Sequence, residues 1–92
     1  MTPADFPLGM ITATNGALAA LAQAREDPFT FLDRHQHGDW GELAEEDRQE
    51  NARAVLTYSR ILSAYTLTTG VTLLIMTEAD RSVTTLVLLE EA

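Results

Sequence analysis

The chain has 92 residues, no cysteine and a formal net charge of −8, from fourteen acids against six bases that are all arginine. That length makes one domain, residues 1–92, and the missing cysteine removes disulfides, thiolate zinc sites and thiol nucleophiles together. The acid excess disfavours direct nucleic-acid binding and an anionic membrane surface, which both require a basic footprint, and favours partners with basic surfaces.

With 46% apolar residues, a packed core is expected rather than disorder. The opening MTPADFPLG has an aspartate and two prolines where a signal peptide would carry positive charge and a long apolar run. The apolar runs LLIM and LVLLE are too short to span a bilayer, so the expected location is cytoplasmic.

Residues 7–14 read as a short strand. Helical spacing then begins, with Thr14 as N-cap and Ala17, Leu18, Leu21 and Ala22 on one face. Pro28 disfavours a helical Asp27, so that helix stops before it. Asp27 and Pro28 together start the next helix as N-cap and first helical residue. Phe29, Leu32, Phe31 and His35 are expected to face inward, and Gly38 to end the helix in the left-handed conformation. Residues 39–41 form a turn. The third helical pattern covers 42–58, with Leu43, Asn51, Ala52, Val55 and Leu56 near one another on its wheel.

From Ser59 the period becomes two, with Ile61, Ser63, Tyr65 and Leu67 against Leu62, Ala64 and Thr66. Gly70 permits a turn, 71–77 is a strand, 78–82 a polar loop and 83–89 a strand. In the loop, Arg81 is expected to pair with Glu78 or Asp80. The order β-α-α-α-β-β-β predicts an α+β fold. Its antiparallel sheet has three to four strands, the C-terminal ones forming a meander, and two to three helices cover one face. Leu73, Leu74, Ile75 and Met76 make both faces of the middle strand apolar. Either that strand is well covered, or its outer face is an interface, and a homodimer through that face is expected.

The run HQHGDW, residues 35–40, comes close to the His-x-His-x-Asp-His run of metallo-β-lactamase-like hydrolases, with tryptophan in place of the last histidine. Only His35 and His37 exist, at a spacing poorly suited to a helix, so neither a metal nor a cofactor is expected. No nucleophile elbow and no glycine-rich phosphate loop is present, which argues against an enzyme. Asp39, Glu42, Glu45, Glu46, Asp47 and Glu50 are opposed only by Arg48. They are either a solvated helix start favoured by the dipole or a patch for an arginine-rich partner. Trp40 beside them is either a core plug or an interface anchor.

The segments RHQHGDWGELAEEDRQENARAV, RILSAYTL and TEADRSVTTLVLLEE together resemble a family of small acidic proteins of bacterial plasmids and other mobile elements. Members are often labelled plasmid-related protein or, doubtfully, type I restriction subunit. Gly38 to Gly41, Arg60 to Tyr65 and Thr77 to Ser82 carry the resemblance. The chain departs from it at Leu74, where the family has a bulky aromatic, and at Leu89 to Ala92. The resemblance implies a non-enzymatic protein-binding module of a mobile element. In that reading it is an anti-restriction or anti-CRISPR inhibitor acting through an acidic surface on a host or element-encoded protein with a basic surface. The alternatives are a plasmid-maintenance or antitoxin-like accessory protein, and a small hydrolase using the region from His35 to Asp39.

Overall fold

Thr14 begins the first helix as its spacing predicts, and does more than cap it. In the computed structural model, which describes residues 3–92, its Oγ1 accepts from the Ala17 N–H at 3.0 Å and donates to the Glu91 carboxylate at 2.7 Å. Glu91 also accepts from the Leu88 N–H at 2.8 Å, so the C-terminal turn is tied to the positive end of the helix. The elements in order are β1 (Met10–Ala13), α1 (Asn15–Ala24), α2 (Pro28–Gln36), α3 (Glu45–Thr57), β2 (Ile61–Thr66), β3 (Thr72–Thr77), β4 (Val83–Leu88) and a 3₁₀ turn, Leu89–Glu91. This is the expected order in a small α+β domain of three helices and one sheet. Met1 and Thr2, the start of the opening segment, lie outside the described residues.

The first two helices start and stop where the sequence signals them, the third begins at Glu45 rather than at residue 42, and the buried faces are rotated from those expected. In α1 the buried residues are Ala17, Ala20 and Leu21, while Leu18 and Ala22 face out. Small side chains let the helix lie close over β4. In α2 the Asp27 carboxylate accepts from the Phe29 N–H at 2.9 Å, and Phe31, Leu32 and His35 are buried while Phe29 is exposed. Gly38 follows the helix with φ +82°, the left-handed residue expected there. In α3 the buried residues are Asn51 and Ala54. Ala52 and Leu56 point outward, Leu56 being 81% exposed, because hydrogen bonds from Asn51 to β2, not the apolar count, set the helix rotation.

The sheet order is β1-β4-β3-β2. β2, β3 and β4 form the expected antiparallel meander, with Ile61 opposite Thr77 and Ile75 opposite Leu86. β1 pairs with β4 in parallel, Met10 opposite Val83 and Ala13 opposite Leu86, so the sheet is mixed and not wholly antiparallel. The physical reason lies in the connection. Hairpins force antiparallel pairing only between consecutive strands, and three helices separate β1 from the rest, leaving its direction free.

All three helices cover one face. Tyr65, Leu67, Leu73, Ile75, Leu86 and Leu88 meet Ala17, Ala20, Leu21, Phe31 and Leu32 in the main core. Phe6, Trp40, Ala54 and Ile61 form a second cluster at the β2 end. The other face of the sheet carries Leu62, Leu74, Met76, Thr85 and Val87 around a shallow groove. Leu74, at the centre of the expected dimer face, is only 8% exposed because Ala64 and Val87 flank it on the neighbouring strands. Among the described residues no helix is long and apolar enough to cross a membrane.

Candidate functional site

His35 sits at the last turn of α2, where it points into the sheet, and it is 0% exposed. Its Nδ1 lies 2.5 Å from Ser63 Oγ on β2, and its Nε2 lies 2.9 Å from Thr77 Oγ1 on β3. Thr77 Oγ1 lies 2.7 Å from Thr84 Oγ1 on β4, and Thr84 donates to the Leu8 carbonyl at 2.7 Å, just before β1. Each hydroxyl has one proton, which fixes every direction. Thr84 gives its proton to Leu8, so it accepts from Thr77. Thr77 therefore accepts from His35 Nε2–H, and Nδ1, left bare, accepts from Ser63. His35 is the neutral Nε2–H tautomer in a relay that runs across β2, β3 and β4 and ends at Leu8, just before β1. Burial, reinforced by the charge of Arg81, lowers its pKa from the usual 6.5 to about 4.

Asp39, Trp40 and Glu42 finish the free edge of β2. The Arg34 guanidinium donates to Asp39 at 2.7 Å and lies 4.6 Å over the Tyr65 ring. That hydrogen bond holds the Asp39 carboxyl below its usual range and raises the Arg34 pKa. The Tyr65 hydroxyl donates to the Asp39 carbonyl at 2.6 Å, and burial pushes its pKa up to about 12. The Ala64 N–H then donates to the Trp40 carbonyl at 3.1 Å, and the Glu42 N–H donates to the Ala64 carbonyl at 2.8 Å. Gly41 makes this approach possible: its φ is +76°, and a Cβ there would lie 2.0 Å from the Ala64 oxygen. The Trp40 indole is 8% exposed, with its ring 6.3 Å from Phe6 and 6.0 Å from His35, so it plugs the core.

The remaining acids are set apart from that cluster. Glu45, Glu46 and Asp47 make up the exposed first turn of α3, where the helix dipole favours them. Glu50 pairs with Arg53, and Glu42 accepts from the Thr66 hydroxyl. Arg48, the one base among the acids, donates to the carbonyls of Leu43 at 3.0 Å and Gly41 at 2.8 Å. The six acids and Trp40 are thus divided. Asp39 and Trp40 build the turn, Glu42 and Glu50 have side-chain partners, and Glu45, which accepts from the Gln49 amide at 3.5 Å, faces solvent with Glu46 and Asp47.

Arg81 departs from expectation. It does not pair with the side chain of Glu78 or Asp80. Buried between the rings of Phe6 and Tyr58, it donates to the carbonyls of Ser59 at 2.7 Å, Ala54 at 2.8 Å and Glu78 at 3.2 Å. The last turn of α3 receives a cation, which its dipole favours. Asp80 instead accepts from the Ser82 N–H and hydroxyl, shaping the loop.

His37 turns back on its own helix, with Nδ1 2.7 Å from the Asp33 carbonyl and 3.4 Å from its carboxylate. His35 and His37 therefore point to different places. Among the described residues, no group of three or more histidines and carboxylates is positioned to hold a metal ion. The sequence reading missed the Ser63–His35–Thr77–Thr84 relay. Its signal was there: hydroxyl residues stand at inward positions of strands otherwise lined by Ile61, Tyr65, Leu73, Ile75 and Leu86.

Comparison with family models, with curated proteins and with solved structures gives no match.

Proposed function

We propose that the chain is a non-enzymatic, cytoplasmic protein-binding module that meets a basic surface on its partner through the start of α3. The observation that carries this reading is the exposed triplet Glu45, Glu46 and Asp47, with Glu42 and Glu50 beside it, in a segment whose Arg48 is engaged by the Leu43 and Gly41 carbonyls. Such a cluster attracts an arginine- or lysine-rich channel and speeds association. With the resemblance to mobile-element proteins, the partner is read as a host defence complex that binds nucleic acid, a restriction or CRISPR assembly, with the carboxylates placed where phosphates would lie. Against a hydrolase built on His35 and Asp39 stands the geometry of both: His35 is sealed in the core with both ring nitrogens engaged, and Asp39 is held by Arg34. A homodimer belongs to the same reading.

The test begins with capture of the partner from a host lysate, identified by mass spectrometry. Glu45→Arg, Glu46→Arg and Asp47→Arg combined should slow association with that partner on the order of tenfold or more and flatten its salt dependence. Unchanged association rate and salt dependence overturn the reading.

A further inference from the structure

β1 is an edge strand that carries no protection of its own. The N–H groups of Met10 and Thr14 donate inward to Ser82 and Leu86 of the β4 side, so by alternation the N–H and C=O groups of Ile11 and Ala13 point away from the sheet. Among the described residues, nothing outside the β1–β4 ladder bonds them. Edge strands are usually blunted by charge, proline or a bulge. Here residues 6–24 contain no charged side chain at all, in a chain of net charge −8. Four of the eight large exposed apolar side chains of the described residues lie at this edge, Met10 at 68% exposed, Ile11 at 43%, Leu18 at 51% and Phe29 at 65%, while Leu56, Tyr58, Leu62 and Leu89 lie elsewhere. Ile11, Ala13, Leu18, Phe29 and Leu32 line an apolar groove on the helix side of the strand.

We propose that this edge is the seat of a second copy of the chain, paired antiparallel through β1 about a two-fold axis. Charge selects that occupant. Two copies of net charge −8 repel each other, and an uncharged surface lets them meet with least cost. The edge is also self-complementary in its hydrogen bonds. With Thr12 opposite Thr12 of the second copy, Ile11 stands opposite Ala13 in both directions, and every outward N–H finds an outward C=O. The small Ala13 side chain leaves room for Ile11 of the second copy at the groove beside Leu18 and Phe29. The sheet then runs unbroken through both copies. The proposal does not rest on the acidic start of α3.

Sedimentation of the full chain at high micromolar concentration tests it. The expected result is a dimer that dissociates on dilution. Ile11→Pro, which removes an outward N–H that the protomer itself does not use, raises the dissociation constant at least about tenfold. Phe29→Glu, at an exposed helical position where folding is not at stake, does the same by putting a carboxylate in the groove. Leu62→Glu, on the uncovered sheet face, leaves the dimer unchanged. A chain that is monomeric throughout that range overturns the proposal. So does a dimer that survives Phe29→Glu, or one that Leu62→Glu dissolves while Ile11→Pro and Phe29→Glu spare it, since that moves the interface to the face of the sheet.

Discussion

The two edges of the sheet are finished in opposite ways. At β2 the chain seals its own edge: Trp40 and Glu42 bond both backbone groups of Ala64, and the Asn51 side chain bonds both of Leu62, donating at 2.6 Å and accepting at 3.2 Å. At β1 the outward groups of Ile11 and Ala13 have no such cover among the described residues. The sealed edge is assembled from charged and polar residues: the Asp39, Arg48 and Asn51 side chains bond backbone, Arg34 holds the Asp39 carboxylate, and Glu42 accepts from the Thr66 hydroxyl. The open edge belongs to a stretch, residues 6–24, with no charged side chain, and is flanked by exposed Met10, Leu18 and Phe29. An edge that can pair with another chain is a hazard unless it is blocked or used. The protein blocks one and leaves the other bare, which is why the turn from Asp39 to Glu42 reads as scaffold and the uncharged strand as contact.

Trp40 offers the largest way to break this contrast. It holds the sealing segment twice, by its carbonyl to Ala64 and by its ring against Phe6, Ala54 and Ile61. Trp40→Ala should destabilise the chain by about 3–5 kcal/mol in urea unfolding, because a cavity opens in the cluster of Phe6, Ala54 and Ile61. The edge at β2 should also open, seen as fast amide exchange at Ala64 and Glu42. A loss below about 1 kcal/mol would mean that Trp40 is a surface anchor after all.

The relay from Ser63 to Leu8 joins the two edges beneath the sheet, and it gives the next largest effect. The unfolded chain protonates His35 near pH 6.5, the folded chain only near pH 4. Between those values the unfolded state holds more protons, so stability falls as pH falls. The His35 contribution is complete above about pH 6.5, and about 3 kcal/mol is lost by pH 4 and below. A protonated Nδ1 can no longer accept from Ser63, so acid breaks the relay at its β2 end. His35→Gln should be less stable at neutral pH yet nearly flat across that window. An equal slope in the variant would place the titration elsewhere.

Much of this was readable in the residues, and what was missed has a common cause. Thr14, the Asp27–Pro28 pair, Gly38 and the alternation from Ile61 to Leu67 are local signals, each with its mechanism inside a few positions, and each held. The parallel direction of β1 is not local: nothing in MITA says which strand it will join. The helix faces erred for a related reason. The wheel grouped Asn51 with Ala52, Val55 and Leu56, but it was the Asn51 amide, matched to Leu62 across the fold, that fixed how α3 turns and left Leu56 outside. Arg81 likewise looked like a partner for neighbouring acids, when its role was to close the end of α3 through Ala54. Polar residues that serve distant backbone cannot be recognised by their own neighbours in sequence. The acidic run was the reverse case. Its density suggested one surface, and the fold divided it into Asp39, which builds a turn, and Glu45 to Asp47, which stay in water.

The sharpest form of the comparison uses one substitution at both edges. Ala64 and Ile11 each direct an N–H away from the sheet, Ala64 to the Trp40 carbonyl and Ile11 outward. Proline removes that donor and fixes φ in either place. At Ala64 it should strand the Trp40 carbonyl and force the sealing segment off β2, a loss upward of about 2 kcal/mol. At Ile11, measured at a dilution where the chain is monomeric, it removes no bond, and the loss should stay under about 1 kcal/mol, most of it from the half-buried isoleucine side chain. Amide exchange supplies the companion measurement. The Ala64 N–H should be protected at every concentration, while the Ile11 N–H should exchange fast when dilute and slow when concentrated. Equal costs for the two prolines would mean that the β1 edge is covered within the protomer. A concentration-independent Ile11 amide would then say the same by a route that does not depend on how well proline fits the strand.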